Sequence, residues 1–329
     1  MKNPPNDSLT LAVPQIAPVW MNRDKGLAKL QACIAEAAKE NADLIVFGEG
    51  AVPGYPFWLD GTGGANFNDP MQKALFAHYS HQAVTIEDGH LDGLCETLKR
   101  ANMAAYVGII ERPRGRSGHS LYCSYVYFDK SGQIRSVHRK LQPTYEERLV
   151  WAPGDGAGLR THRLGAFTVG GLNCWENWMP LSRAALYAQG EDLHVACWPG
   201  SIRNTEDITP FLAKEGRSYC VSVSSLMRRA DVPDDMPFAS EIRGALPDIA
   251  ANGGSCVAAP DGTWVLEPQC NRESMRFAVL DPAFVRRERQ NFDPAGHYSR
   301  PDVTRLSVNR DRQSLAVFSD QKAPQSDGT

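Results

Sequence analysis

The stretch AFTVGGLNCWENWMPLSR, residues 166–183, contains the features that decide the fold. Its apolar, β-branched run at 167–172 predicts a buried strand, and residues 179–189 have the apolar spacing of a helix with a proline in its first turn. Cys174 therefore falls at a strand-to-helix corner, where the following backbone N–H groups lack strand partners and favour an anion. This position makes Cys174 a candidate nucleophile, although a cysteine that ends an apolar run is more often a packing residue.

The composition is that of an ordinary globular chain, with 329 residues of which 42% are hydrophobic and 22% charged. Such a chain can bury one large core or at most two smaller ones. The formal net charge is −3, and lysines and arginines form no long cluster. We therefore expect no nucleic-acid partner, and a small, neutral or weakly charged ligand fits these values better.

Residues 1–18 lack the uninterrupted apolar segment of a signal peptide, and no stretch reaches the roughly 18 apolar residues of a membrane span. No membrane partner is therefore expected. The 8 cysteines are scattered without a C-x-x-C pair, which favours reduced thiols and a cytoplasmic location over a disulfide framework or a zinc site. His78 and His81 are spaced like a metal-binding pair, but no third ligand accompanies them, so we predict no metal.

Strand-like and helix-like segments alternate along the chain. A strand pattern at 9–17 precedes a helix pattern at 22–41, and the alternation recurs after Gly154. This rhythm predicts a layered α/β fold with two similar halves. The glycine-rich bend at 152–158 lacks the lysine and hydroxyl residue of a phosphate-binding loop, so a turn is predicted there. Residues 227–254 are polar and contain prolines, which predicts a long loop.

Three polar residues occupy the same kind of position, at or shortly after the end of an apolar strand pattern: Glu49, Lys140 and Cys174. In a layered α/β fold such strand ends gather at one rim, which is where sites form. Residues 50–69 are rich in glycine, proline and aromatic residues and fit neither helical nor strand spacing. They are predicted to form a binding loop beside that rim.

The segments that surround these residues resemble the nitrilase superfamily of carbon–nitrogen hydrolases. The resemblance rests on VFGEGAVPGYPFW at 46–58, HRKLQPTYEERLVW at 138–151 and GGLNCWENWMPLSR at 170–183, and it is strongest to the nitrilase branch. It extends from about residue 9 to 302, where GHYSRPD at 296–302 is similar to the C-terminal segment of nitrilases.

The resemblance implies a four-layer α-β-β-α sandwich that forms a single domain at residues 9–291 and pairs into an eight-layer dimer. A homodimer or a higher homo-oligomer is therefore expected. Residues 292–329 would be a C-terminal extension that docks in the oligomer and then frays. The chain departs from the family pattern at Gly48, where proline is usual, at Tyr145, where histidine is common, and at Ala152, where glycine is common.

The same resemblance implies the roles of the site residues. Cys174 would attack the substrate, Glu49 would act as the base, Lys140 would stabilise developing charge, and Glu147 would orient substrate and water. No metal or organic cofactor is implied. The implied substrate-binding residues are Trp175, whose N–H assists Lys140, and Tyr55, Trp58, Trp198 and His297; Trp178 is a further candidate for the pocket wall. Without the resemblance, Glu49 is equally an ion-pair or capping residue, Lys140 a surface lysine, and the aromatic residues part of the core.

Three functional hypotheses follow. The first is a nitrilase that converts an organic nitrile to a carboxylic acid and ammonia through a cysteine thioimidate and thioester. The second is an amidase or carbamoyl-amide hydrolase with the same triad. The third is a non-catalytic assembly or thiol-sensing protein that keeps the fold. A serine hydrolase is disfavoured because the chain contains no G-x-S-x-G motif.

Overall fold

The computed structural model describes residues 7–316, which contain thirteen strands and eight α-helices. The strands are β1 (Leu9–Gln15), β2 (Leu44–Val46), β3 (Ala104–Glu111), β4 (Tyr122–Phe128), β5 (Ile134–Arg139), β6 (His162–Leu164), β7 (Phe167–Asn173), β8 (Leu193–Trp198), β9 (Tyr219–Ser224), β10 (Leu226–Arg228), β11 (Ile249–Ala258), β12 (Trp264–Cys270) and β13 (Ser274–Leu280). The α-helices are α1 (Arg23–Lys39), α2 (Trp58–Gly61), α3 (Pro70–Gln82), α4 (Asp92–Ala101), α5 (Pro180–Tyr187), α6 (Ile208–Gly216), α7 (Ala239–Ala245) and α8 (Pro282–Glu288).

The strands form two mixed sheets with related orders. The first runs β13-β1-β2-β3-β4-β5, and the second runs β10-β11-β9-β8-β7-β6 with β12 paired to β11. Strands β1, β2 and β3 are parallel and continue into the antiparallel strands β4 and β5. Strands β7, β8 and β9 are likewise parallel, and β11 and β12 add antiparallel to them. The two similar halves expected from the sequence are thus visible as two similar sheets.

The sheets pack face to face, and helices cover their outer faces. The central layer buries Leu11 and Val46 of the first sheet against Phe167 and Val195 of the second. Outside the first sheet, α1 and α4 pack on β2 and β3, and outside the second sheet, α5 and α6 pack on β7, β8 and β9. The predicted four-layer α-β-β-α sandwich is therefore confirmed.

Helix α1 illustrates how local sequence forms these layers. The Asn22 side chain accepts a hydrogen bond from the Lys25 backbone N–H at 3.0 Å and so caps the helix. Leu30, Ile34 and Ala37 repeat at the spacing of one helical face and are all buried against the first sheet. The polar residues between them face outward, so the sequence period fixes which side of the helix enters the core.

The predicted loop at 227–254 is wrong, because this segment contains most of β10, all of α7 and the start of β11. Strand β10 has only three residues, and α7 has seven with Ile242 as its one buried side chain. Elements this short show neither period, and β11 begins with an exposed isoleucine followed by the small and polar residues AANGG. Its pairing with β10 and β12 comes from the tertiary fold.

The chain after α8 lies along its own domain as far as the structure describes it. Arg312 Nη1 lies 2.9 Å from Asp155 Oδ1, its Nη2 donates to the Val137 carbonyl at 2.7 Å, and Val308 packs against the apolar cluster that contains Leu159. The predicted frayed end lies beyond residue 316, outside the described residues. Of the helices between residues 7 and 316, none combines the length and the apolar character that crossing a bilayer demands.

Candidate active site

The two sheets bring the polar strand ends together at one rim. Glu49 follows β2 and Lys140 follows β5 in the first sheet, while Cys174 follows β7 in the second. The Lys140 ammonium lies 2.8 Å from Glu49 Oε1 and 2.6 Å from Glu147 Oε2. A carboxylate oxygen of Glu49, one of Glu147 and the Cys174 sulfur lie within 4.8 Å of one another. All four side chains are buried, so their charges interact without bulk water between them.

Cys174 sits in a backbone conformation that few residues other than glycine adopt. Its φ is +50°, in the left-handed region, at the start of the 3₁₀ turn Cys174–Trp178. Such a conformation costs about 1–3 kcal/mol and persists only where the surroundings hold it. Part of that support comes from Glu176, whose carboxylate accepts the backbone N–H groups of Asn173 at 2.9 Å and Leu141 at 2.5 Å. The turn thereby exposes the sulfur to a cavity although the residue is only 2% accessible.

Glu147 is fixed by the local fold of the segment that follows Lys140. It is the third residue of the 3₁₀ turn Tyr145–Leu149, and its Oε2 accepts the Thr144 backbone N–H at 2.6 Å in a capping box. The Tyr55 hydroxyl donates to Glu147 Oε1 at 3.0 Å and also reaches Glu146 Oε1 at 3.3 Å. Glu147 is thus a second carboxylate partner of the Lys140 ammonium, beside Glu49.

Burial and mutual charge shift the titration of these groups. Burial raises the pKa of the Glu49 carboxyl to about 7, and the Lys140 ammonium limits the rise. Burial and then Glu49 raise the pKa of the Cys174 thiol well above its ordinary value, although Lys140 and the Trp175 N–H act in the opposite direction. Burial alone would lower the pKa of Lys140, but Cys174, Glu49 and Glu147 outweigh it and raise that pKa.

These shifts leave a neutral thiol beside a carboxyl that ionises near neutral pH and an ammonium that stays charged. Glu49 Oε2 is buried and has no hydrogen-bond partner among residues 7–316. Because no other group donates a hydrogen bond to this oxygen, it is free to accept a proton. The arrangement can therefore deprotonate a thiol at the moment it attacks an electrophile, with the ammonium ready to stabilise the negative charge that forms.

Carboxylates and a thiolate are also donors that metal ions accept, and Glu49, Glu147 and Cys174 are close enough to share one ion. The Lys140 ammonium, however, already lies within hydrogen-bond distance of both carboxylates. It supplies next to both carboxylates the positive charge that a metal ion would bring.

A cavity of about 570 Å³ reaches the cluster at Glu147 and Cys174, while Glu49 and Lys140 lie behind them and do not line it. Tyr55 and Trp175, both expected to bind substrate, line it. Glu146 also lines it. The remaining wall comes from Pro56, Phe57, Asp60, Gly61, Thr144, Pro199, Gly200, Ser201, Arg203, Asn204, Ala245, Leu246, Pro247, Ala250 and Ala251.

The other expected binding residues do not line the cavity, although Trp198 packs in the same apolar cluster as Cys174. Trp58 lies in the aromatic core, where its ring is 5.0 Å from Tyr79 and its Nε1 donates to Gln72. Trp198 is buried, and its Nε1 donates to Ser222 Oγ at 3.1 Å. His297 is exposed in the segment after α8, and Trp178 is half exposed outside the cavity wall. Sequence proximity to a motif does not tell which face of a strand or turn an aromatic ring occupies, which is the physical reason for these differences.

One neighbour of the cluster was missed. The Cys123 thiol, on β4, donates to Glu49 Oε1 at 3.4 Å. A signal for it exists in the sequence, because the turn at 130–132 joins two strands whose hairpin register puts Cys123 beside Lys140. The structure has that register, with Ser124 opposite Arg139 and the Lys140 N–H bonded to the Cys123 carbonyl at 2.7 Å.

Comparisons with known proteins agree with this fold. A protein named Nitrilase 2, from an unknown prokaryotic organism, is 34% identical over 319 residues, which are 95% of this chain and 96% of that protein. An aliphatic nitrilase of Sinorhizobium fredii (strain HH103) is 33% identical over 319 residues, covering 93% and 97% of the two chains. The crystal structure of a carbon-nitrogen hydrolase from Helicobacter pylori G27 superposes with a TM-score of 0.67 at 18% identity, covering 90% of this chain and 96% of that one, and so shares the fold.

A family model described as carbon-nitrogen hydrolase matches residues 10–290. The match includes all three strand ends that carry Glu49, Lys140 and Cys174. It extends over both sheets and ends just beyond α8. This chain belongs to the carbon–nitrogen hydrolase family.

Proposed function

We propose that the protein is a nitrilase, which hydrolyses an organic nitrile to the corresponding carboxylic acid and ammonia. The observation that carries the proposal is the buried contact of Glu49, Lys140 and Glu147 beside the sulfur of Cys174, a residue that lines a cavity together with Glu147. Relatives named as nitrilases, more than 30% identical over nearly the whole chain, support a nitrile as the substrate.

In this proposal the first step adds the Cys174 sulfur to the nitrile carbon. Glu49 Oε2 takes the thiol proton as the carbon–sulfur bond forms, and one π bond of the nitrile breaks to leave its electron pair on nitrogen. Lys140 stabilises the charge on that nitrogen, a contribution typically worth about 3 kcal/mol. The proton then moves from Glu49 to the nitrogen, giving a neutral thioimidate.

Water completes the reaction in two stages. The first water, oriented by Glu147 and deprotonated by Glu49, adds to the thioimidate carbon, and Glu49 passes that proton to the nitrogen to give an amino group. The hydroxyl proton of this tetrahedral intermediate then moves by way of Glu49 to the amino nitrogen as the carbon–nitrogen bond breaks, which releases ammonia and leaves a thioester. A second water adds to the resulting thioester, the carbon–sulfur bond breaks, and the thiol regains its proton. The products are one carboxylic acid and one ammonia for each nitrile and two waters.

A panel of nitriles, each paired with its amide, tests the proposal by measuring ammonia release with Cys174→Ala as the control. We expect at least one nitrile to be hydrolysed faster than its amide, and all activity to be lost in the variant. Faster turnover of the amides would instead identify an amidase. No ammonia release, together with equal and slow alkylation of all 8 thiols, would favour a non-catalytic or thiol-sensing protein.

We further propose that residues 9–291 are the catalytic domain and that the protein is a homodimer or larger homo-oligomer, with residues 292–329 as an extension that contributes to assembly. Exposed apolar side chains on α5, α6 and the turn before α5 support this: Trp178, Met179, Leu181 and Phe211 are all exposed. A cytoplasmic location is proposed because all eight cysteines are free thiols in the structure.

A further inference from the structure

A buried polar network lies directly behind the Cys174 turn. Asn177, His194 and Glu191 are each almost completely inaccessible to solvent. Neither Asn177 nor His194 touches the cavity, and the reaction steps above use none of the three. Buried polar groups are retained at a cost unless each makes its hydrogen bonds, so the contacts of this network report what it holds in place.

Asn177 brackets the nucleophile on both sides. Its Nδ2 donates to the carbonyl of Cys174 at 2.8 Å and to the carbonyl of Leu172 at 3.3 Å. Carbonyl oxygens only accept, so these two contacts orient the amide with Nδ2 toward the turn and Oδ1 away from it. The left-handed φ of Cys174 lies between the two bonded carbonyls, which fixes the backbone on either side of it.

His194 completes the orientation from β8. Its Nε2 lies 2.7 Å from Asn177 Oδ1, and because an amide oxygen accepts, Nε2 must carry the hydrogen. On the other side of the ring, Nδ1 lies 3.0 Å from both oxygens of Glu191. Gly170 leaves the room for that carboxylate, since a Cβ there would lie 2.1 Å from Glu191 Oε1. The chain of contacts thus runs from Glu191 through His194 and Asn177 to the backbone of Cys174.

We infer that Asn177 and His194 are positioning residues for Cys174: they hold the strained backbone that aims its sulfur at Glu49 and the cavity. This inference rests on the proposed function, in which Cys174 is the nucleophile. Neither residue contacts the reacting atoms, so their effect falls on the rate of attack and not on the binding of substrate.

The test compares Asn177→Asp with His194→Gln. Aspartate has the shape of asparagine but cannot donate to the two carbonyls, so the Cys174 turn loses its hydrogen bonds at the Leu172 and Cys174 carbonyls. Glutamine keeps an N–H donor that can reach Asn177 Oδ1. The readouts are the rate of alkylation of Cys174 by iodoacetamide, followed by peptide mass spectrometry with half-buried Cys95 as internal reference, together with kcat, KM and Tm.

We expect Asn177→Asp to lower both the alkylation rate and kcat on the order of 100-fold, with KM nearly unchanged. His194→Gln should keep both within about tenfold of the native chain, and His194→Leu should resemble Asn177→Asp. His162→Leu is the matched control, because it also removes an imidazole contact, to Ser136 Oγ at 2.8 Å, but lies outside the Cys174 turn. It should lower Tm without lowering the alkylation rate of Cys174.

Native rates of Cys174 alkylation and of turnover in Asn177→Asp would overturn the inference. It would also be overturned if both His194 variants had a lower Tm but native alkylation rates and native kcat. The alkylation assay needs no substrate, so it separates the two proposals. Suppose that the native chain releases no ammonia, and that iodoacetamide alkylates Cys174 rapidly in the native chain but slowly in Asn177→Asp. That result would refute the nitrilase proposal while supporting the positioning role.

Discussion

The two oxygens of the Glu49 carboxylate have different surroundings. Oε1 accepts from the Lys140 ammonium at 2.8 Å and from the Cys123 thiol at 3.4 Å, whereas Oε2 is buried without a partner in the described part of the chain. Donors stabilise the electron density on Oε1, so Oε2 is the more basic oxygen. This asymmetry lets one residue serve as an ion-pair partner for Lys140 and as a base for Cys174 at the same time.

The raised pKa of Glu49 predicts an acidic limb in the activity profile. The base must be ionised, so kcat/KM should fall as pH drops below about 7, where the carboxyl becomes protonated. Glu49→Gln should lower kcat by roughly 10²–10⁴-fold above pH 7, and the difference from the native chain should shrink at lower pH, where Glu49 itself is protonated. Rates measured between pH 5 and 9 check both expectations, with the exposed Glu87→Gln as control. If kcat/KM instead stays constant down to pH 5, Glu49 is ionised over the whole measured range and its protonation does not limit the rate.

Cys123 should tune the same limb. A donor to a carboxylate stabilises its charged form, so the Cys123 thiol lowers the pKa of Glu49 against the larger effect of burial. Cys123→Ala removes the donor and should move the acidic limb to higher pH, while Cys123→Ser supplies a stronger donor and should not. The pH profiles of the two variants, measured at equal folded fractions, decide the matter. If both variants have the same pH profile as the native chain, the thiol only fills space and does not affect the pKa of Glu49.

At the scale of elements, Glu49 depends on how closely β3 approaches the chain after β2. Gly108 of β3 faces the backbone of residues 48–50, and a Cβ there would lie 2.1 Å from the Gly48 carbonyl oxygen and 3.0 Å from Glu49 Cα. These neighbours are backbone atoms, which cannot turn aside as a side chain can. The absence of a side chain at Gly108 is therefore a condition for the position of Glu49.

Gly108→Ala should displace Glu49 and lower both stability and activity. Forcing one methyl group into a packed site costs about 1–3 kcal/mol, and a displacement of the base by about 1 Å can cost 100-fold in rate. Thermal unfolding and kcat measure the two effects. Gly115→Ala is the matched control, because a Cβ at Gly115 meets nothing within 4 Å. A Gly108→Ala variant with native kcat would show that the site tolerates the shift.

The elements also show what sequence can predict here. Glu49, Lys140 and Cys174 could be placed at strand ends because each comes at or just after an apolar run, and parallel strand order carries such ends to one rim. The cavity wall at 245–251 could not, because α7 is too short for a helical period. The sequence also could not predict whether Trp58 and Trp198 lie in the core or in the cavity wall, since a large ring fits both equally well.

For the whole molecule, the sandwich makes the site a product of both sheets. The first sheet contributes Glu49 and Lys140, and the second contributes Cys174, so the base and the nucleophile meet only when the two sheets pack. The sequence predicted this architecture through its family resemblance and its strand–helix rhythm. The path of the tail after α8 was not predictable, because its contacts with Asp155 and Val137 are polar and follow no period.

The outer face of α5 and α6 leads to a prediction about assembly. Trp178 stacks on Phe211 with ring centroids 6.5 Å apart, and Leu181 beside them is 66% exposed. Burying an apolar side chain of this size contributes about 1.5–3 kcal/mol, so a second copy that covers the patch would gain substantially. Leu181→Glu would place a charge in that interface without touching the core of the monomer.

We expect Leu181→Glu to sediment with the mass of one chain at concentrations where the native protein sediments as a dimer or larger assembly. Sedimentation velocity over a dilution series measures this, and unchanged thermal unfolding of the monomer would exclude general misfolding. Val279→Glu is the control, because Val279 is also exposed but lies on β13 of the other sheet. If Val279→Glu dissociates the assembly and Leu181→Glu does not, the interface is formed by the edge of the first sheet, because a carboxylate destabilises only the surface in which it becomes buried.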